Sequence, residues 1–139
     1  MELLKSPKSM YLLDAGLEAL HAQTIEWLNE IAFWRDEAAF FNSLVVKKNL
    51  KSVPVNGKDN IKALERELIA ITGVELDELQ QTVENHECYL NDLLENKYLK
   101  EEYYRNTHKE LTVKFSEFER RFKSLKREVF ALVELLSGT

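Results

Sequence analysis

The sequence predicts an all-α protein, an antiparallel up-down-up bundle of three long helices. Apolar residues recur at alternating steps of four and three, a pattern that defines heptad seams between packed helices. Only four Gly and two Pro occur among 139 residues, and both prolines, Pro7 and Pro54, lie outside the repeats. Little of the chain is therefore expected to form turns or strands. The length suits a single domain, residues 1–139.

The first helix is predicted over residues 10–48. Its seam consists of Leu13, Leu17, Leu20, Thr24, Trp27, Ile31, Trp34, Ala38, Phe41 and Val45. Lys47 and Lys48 suit a helix C-terminus, where the helix dipole favours positive charge, and Pro54 and Gly57 then interrupt the pattern.

The second helix is predicted over residues 59–96, because Asp59 or Asn60 can cap its free backbone amides. Its seam comes in two stretches that are out of phase: Ile61, Leu64, Leu68 and Ile71, then Leu79, Val83, His86, Leu90 and Leu93. The interval around Glu75 resembles an inserted four-residue step, and Gly73 lies within it. We therefore expect a bend or a short break there.

The third helix is predicted over residues 100–138. Its seam consists of Tyr104, His108, Leu111, Phe115, Phe118, Phe122, Leu125, Val129, Leu132 and Leu136. Core packing is the expected role of these rings, since each contributes about 1.5–3 kcal/mol when fully buried. Antiparallel helices pair residues whose numbers sum to a constant, so short turns would bring His21, His86 and His108 to one level. The same pairing places Trp34 opposite Gly73.

Composition excludes several classes of function. A net charge of −5 repels polyphosphate, so nucleic acid is not an expected partner. We find neither a signal-peptide pattern nor an apolar run near the roughly 20 residues of a membrane span, and we expect a cytoplasmic protein. The single cysteine, Cys88, can form neither an internal disulfide nor a redox pair. Without a Gly-rich phosphate loop or a nucleophile motif, no catalytic residues are predicted and an enzyme is not expected.

The three histidines are candidate ligands for Zn or another divalent transition metal. His86 and His108 occupy seam positions and His21 follows the seam residue Leu20, so all three can point inward. Three neutral imidazoles with an open position describe a zinc site that activates water. Glu87 could add a fourth ligand or accept a hydrogen bond from a ligating histidine. The alternative is a layer of hydrogen-bonded histidines that sets the register of the helices.

The first helix also carries an apolar stripe beside its seam: Ile25, Ala32, Phe33, Ala39, Phe40 and Val46. Three helices alone would leave part of it exposed, and an exposed stripe of this size marks a partner surface. We therefore expect a binding or scaffold module that forms a homo-oligomer or binds a partner helix, with Ile25, Phe33, Phe40 and Val46 at the interface. In the alternative, the other two helices wrap far enough to cover the stripe.

Part of the sequence resembles a group of small uncharacterised bacterial helical-bundle proteins. The resemblance rests on the stretch His21 to Glu30 followed by Asp36-Glu37, together with Glu84-Asn85-His86-Glu87. It implies a helical fold. Because the group has no established activity, it implies no catalytic residue and no cofactor.

Overall fold

A computed structural model describes residues 16–49, 55–95 and 98–137, and nearly all of these are helical. Helix α1 spans Leu17–Asn49, α2 spans Val55–Ala70, α3 spans Leu76–Glu95 and α4 spans Glu101–Ser137. A π-helical turn, Ile71–Glu75, joins α2 to α3 into one α2–α3 rod. These ranges contain no strand, so the all-α prediction is confirmed for the part described. The 37 residues of α4 rise roughly 55 Å.

Helix α1 begins later than predicted. Gly16 has a φ of 78°, in the left-handed region that glycine adopts without steric cost, and the helix starts at the next residue, Leu17. The predicted start at Met10 and the seam residue Leu13 lie outside the described residues.

Helix α2 begins at Val55, and the prediction of a start at Asp59 or Asn60 is wrong. Val55 directly follows Pro54 in the sequence. Proline has no backbone N–H to leave unpaired, which makes it compatible with a helix start. The other predicted ends agree with the structure to within one residue.

The π turn explains the phase slip in the second helix. Buried residues of the α2–α3 rod recur at steps of three and four, except that Ile71 and Leu76 are five apart. The backbone N–H of Leu76 donates to the Ile71 carbonyl, which is the i→i−5 bond of a π-helix. One extra residue is therefore accommodated, rather than a four-residue step, and the helix is unbroken at Gly73. Leu76 occupies the core position, while Glu75 forms an ion pair with Arg121 at 2.6 Å.

The core consists of two apolar clusters with polar residues between them. The larger contains Trp27, Ile31, Trp34, Ala38, Phe41, Val45, Ile61, Leu64, Leu68, Ile71, Leu76, Leu79, Val83, Leu111, Phe115, Phe118, Phe122, Leu125, Val129 and Leu132. The smaller contains Leu20, Leu90 and Tyr104. Thr24, His86 and His108 are buried between the two and are called the polar layer below.

The expected pairing of Trp34 with Gly73 is wrong. Gly73 is exposed, and a Cβ atom built on it would meet nothing within 4 Å. The Trp34 ring packs instead against Phe115 and Phe118, with centroid distances of 4.9 and 5.0 Å. The extra residue of the π turn changes which side of the rod faces α1, and Gly73 falls on its outer side.

Contacts between the helices follow a regular order along the chain. Between α1 and α4 the residue numbers rise together, in the pairs Trp27–His108, Trp34–Phe115 and Phe41–Phe122. Between α1 and α3 the numbers rise on one helix as they fall on the other, in the pairs His21–Glu87 and Arg35–Asp77. The same holds between α3 and α4, in the pairs His86–His108 and Tyr89–Tyr103.

Candidate functional site

A chain of hydrogen bonds crosses the bundle at the polar layer. His108 Nε2 lies 2.6 Å from Gln23 Oε1, and His108 Nδ1 lies 2.9 Å from His86 Nε2. Because an amide oxygen only accepts, this orientation of Gln23 assigns the proton of His108 to Nε2. His108 Nδ1 then accepts a hydrogen bond from His86 Nε2–H. Both histidines are neutral Nε2–H tautomers in this arrangement.

Each of these two rings is stacked on an aromatic neighbour. The centroid of His108 lies 4.6 Å from that of Trp27, and the centroid of His86 lies 4.2 Å from that of Tyr104 with the planes 1° apart. Only 4% of His86 and 3% of His108 is exposed. Burial lowers the pKa of His86 to about 4. Burial also lowers the pKa of His108 to about 4, together with the positive charge that His86 carries when protonated and the positive charge of Arg105. Both imidazoles are therefore uncharged at neutral pH.

Tyr104 is fully buried beside this layer, and its hydroxyl is among the buried polar atoms of the described residues that have no hydrogen-bond partner. Burial raises the pKa of Tyr104 to about 12. The nearby Thr24 hydroxyl opposes that rise, although the pair lacks the geometry of a hydrogen bond. Thr24 Oγ1 donates to the Leu20 carbonyl at 2.9 Å. Tyr104 thus serves chiefly as a large ring that packs against His86.

His21 does not join the other two histidines. Its side chain is 48% exposed, and its Nδ1 lies 2.6 Å from Glu87 Oε2. Glu87 Oε1 is buried without a hydrogen-bond partner. The structure therefore places the four predicted metal ligands in two pairs, His86 with His108 and His21 with Glu87. No group of three or more His, Cys, Asp or Glu residues in the described ranges is arranged to hold a metal ion.

The predicted interface residues are exposed on α1. Phe33 and Phe40 are 56% and 57% exposed, and Ile25 and Val46 are each 40% exposed. The α2–α3 rod and α4 therefore leave the stripe uncovered, contrary to the alternative in which they wrap around it. Despite its apolar surface, α1 is not a membrane-span candidate: no helix in the described ranges is long and apolar enough to cross a bilayer.

Two residues that contact these features were not identified from the sequence, because both lie beside seams rather than in them. Gln23 bonds His108 of the polar layer, and Phe130, half-exposed on α4, packs against Phe41 of α1 with the ring centroids 5.3 Å apart. Gln23 precedes the seam residue Thr24, and Phe130 follows the seam residue Val129. The useful signal for Gln23 is a polar residue on the flank of α1 at the predicted level of the histidines. For Phe130 it is an aromatic residue on an otherwise charged outer face.

The polar layer and the apolar stripe are thus the two features of the described residues that exceed ordinary core packing. The first holds two neutral imidazoles in a fixed orientation, and the second exposes the phenyl rings of Phe33 and Phe40. Comparison with known proteins gives no match to a protein-family model, to a curated protein or to a solved structure.

Proposed function

We propose that the protein is a binding module that associates with another helix, in a second copy or in a partner protein, through the apolar stripe. The exposure of Phe33 and Phe40 carries this proposal. The two rings are seven residues apart, so they lie on one face of α1. Fully burying an exposed phenyl side chain contributes about 1.5–3 kcal/mol, so these two half-exposed rings supply an appreciable part of the free energy of association.

The charge pattern of α1 supports the same function. Glu26 and Asp36 are the only acidic or basic residues at its exposed positions from Ala22 to Val46. A helix face that only meets water is normally rich in charge, as the exposed face of α4 is. The outer face of α1 therefore has the composition of a contact surface.

We propose an up-down-up arrangement of the three rods as the framework for this surface. The order of the contacts supports it. Residue numbers of α1 and α4 increase together along their contacts, as expected if these two helices run in the same direction. Residue numbers of α3 decrease as those of its partner helices increase, as expected if α3 runs in the opposite direction. In such a bundle the stripe is the outer side of one helix along most of its length.

The double variant Phe33→Glu/Phe40→Glu tests the proposal. We expect the wild type to sediment as an oligomer, or to capture a helical partner, and the variant to be monomeric with unchanged far-UV circular dichroism. Ile69→Glu/Val113→Glu is a matched control, because these side chains are 59% and 58% exposed on α2 and α4. Identical oligomeric state and identical partners for the wild type and the stripe variant would contradict the proposal.

A metal site is the second candidate, favoured by the buried and unpaired Glu87 Oε1 beside His21. His108 uses both ring nitrogens in hydrogen bonds and would have to give one up to bind a divalent ion, whereas His86 has an unprotonated Nδ1 in the assigned tautomer. Metal content by plasma mass spectrometry decides the question, on tag-free protein prepared without chelator. Stoichiometric metal that disappears in His86→Ala/His108→Ala would support the site. Protein that holds no metal and takes up none on addition would eliminate it.

A further inference from the structure

The rings of Phe40, Phe41 and Phe130 define an apolar groove between α1 and α4. The Phe41 ring lies at its base, 5.8 Å from the centroid of Phe40 and 5.3 Å from that of Phe130. Phe130 is 52% exposed, so it extends the apolar surface from α1 onto α4. Glu37 and Lys126 bridge the same groove at 3.1 Å. Glu37 precedes Phe40 by three residues on α1, and Lys126 precedes Phe130 by four on α4. Residues at these spacings lie on the same face of a helix, so Phe40 and Phe130 lie on opposite walls of the groove.

The two walls carry opposite charge. On α1, the charged residues within one heptad of Phe33 and Phe40 on this side are mainly acidic: Glu26, Glu30, Asp36 and Glu37, with Lys47 one heptad after Phe40 in the sequence. On α4, the charged residues within one heptad of Phe130 on this side are mainly basic: Lys123, Lys126 and Arg127, with Glu134 four residues after Phe130. Glu119 lies further along the same face, 4.0 Å from Lys123.

Two copies can bring these grooves together about a two-fold axis in two ways. With the axis along the bundle, α1 of one copy lies across from α4 of the other at the same level. The acidic wall then faces the basic wall, and Phe40 meets Phe130 of the second copy. With the axis perpendicular to the bundle, α1 faces α1 and α4 faces α4, which places like charges opposite one another.

We infer that the occupant of the groove is a second copy of this chain, docked in parallel with the two-fold axis along the bundle. The inference rests on the proposed function, which it narrows to self-association, and on the direction of α1 and α4 given by their contacts. Charge complementarity favours the parallel pairing, because only in that pairing does each wall face a wall of opposite net charge.

The available area fits a reversible dimer. A buried phenylalanine covers 150–250 Å², so each of the three half-exposed rings offers about 100 Å². The three rings alone therefore bury about 300 Å² in each copy and about 600 Å² in the pair, and the groove walls add to this, so the interface belongs to the small, transient class. We therefore expect a reversible dimer whose sedimentation coefficient rises with protein concentration.

A charge swap tests the contact. Lys123 lies near the level of Asp36, since the adjacent Glu37 contacts Lys126. We expect Asp36→Lys and Lys123→Glu each to raise the dissociation constant about tenfold in sedimentation velocity. The double variant should return to within about threefold of the wild type. Failure of the double variant to recover would overturn the charge pairing and with it the parallel dimer.

The direction of docking is measured by electron–electron resonance between spin labels. Ala22→Cys and Ser43→Cys are labelled separately in a Cys88→Ser background, because both positions are exposed and uncharged. In a parallel dimer the two labels of a pair lie at the same axial level, so both pairs are close. In an antiparallel dimer the two axial separations sum to at least about 63 Å at 1.5 Å per residue, so at least one exceeds about 31 Å. A long distance at either site would overturn the inference.

The outcomes separate this inference from the proposed function. If Phe33→Glu/Phe40→Glu abolishes a dimer that Phe130→Glu leaves intact, the stripe is the interface and the groove is not. If the wild type is monomeric at millimolar concentration but a helical partner needs Phe33 and Phe40 for binding, the inference of a second copy is wrong and the proposed binding function is supported.

Discussion

Acidification should destabilise the bundle through His86 and His108. Burial lowers the pKa of each from 6.5 to about 4 in the folded protein. In the unfolded chain both bind a proton as the pH falls through about 6.5. The unfolded state therefore holds more protons between pH 6.5 and pH 4, and the free energy of unfolding falls with pH across this range. Above pH 6.5 both imidazoles are neutral in the folded and the unfolded protein, so this loss of unfolding free energy is absent.

The size of the effect follows from the two pKa values. By linkage, one histidine with these values removes about 2 kcal/mol of unfolding free energy between pH 7.5 and pH 5.0. His86 and His108 share a hydrogen bond, so their protonations are coupled and do not simply add. We expect a total loss of about 2–4 kcal/mol, a large fraction of the 5–15 kcal/mol typical of folded domains.

Urea unfolding followed by far-UV circular dichroism measures this loss. Both pH values are compared at one protein concentration, because self-association also changes the apparent stability. A His86→Leu/His108→Leu variant should lose less than about 1 kcal/mol, since it has no buried imidazole to protonate. The reasoning would be refuted if the wild type lost less than about 0.5 kcal/mol of unfolding free energy, or if the leucine variant lost as much as the wild type.

Three further predictions concern packing. Deleting Gly73 should convert the π turn to α-helix and keep cooperative thermal unfolding, whereas deleting Gln81 from α3 should abolish cooperativity by rotating buried side chains outward. Leu76→Ala should lower the free energy of unfolding in urea by about 2–5 kcal/mol, because the side chain is fully buried. Gln23→Leu should cost about 1–3 kcal/mol by leaving His108 Nε2–H unpaired, and ¹⁵N NMR should show that His108 no longer holds a single tautomer. An Nε2–H signal unchanged in this variant would refute the assigned hydrogen-bond chain.

The sequence was sufficient for the helices and most of the core because heptad spacing is a local property. Every predicted seam residue of α1 from Leu20 to Val45 is buried, as is every one of α4 from Tyr104 to Leu132. Leu76 was missed because the π turn moves it one position off the repeat. Helix propensities do not reveal a single extra residue, since the backbone remains helical on both sides of it.

The candidate sites were only partly predictable. Pairing by sequence number placed His86 and His108 at one level, and the structure joins them at 2.9 Å. It could not separate His21 from them, because inward or outward direction depends on how far each helix is rotated about its axis. Gln23 and Phe130 depend on the same rotation. Periodicity gives the level of a side chain, whereas its direction depends on the packing of all three rods.

The polar layer also divides the bundle into parts that need not open together. Beyond it, the smaller cluster has three buried members among the described residues, Leu20, Leu90 and Tyr104, with Leu17, Tyr89 and Leu93 packed against them, while the larger cluster includes buried residues of every helix. Among the described residues, separation of this end breaks fewer apolar contacts than disruption of the larger cluster, and it brings water to the imidazoles. Backbone amides near Leu20, Leu90 and Tyr104 should therefore exchange with deuterium through local opening, and those around Ile31 and Phe122 only through global unfolding. The histidines would then mark the boundary between two cooperative units of one continuous bundle.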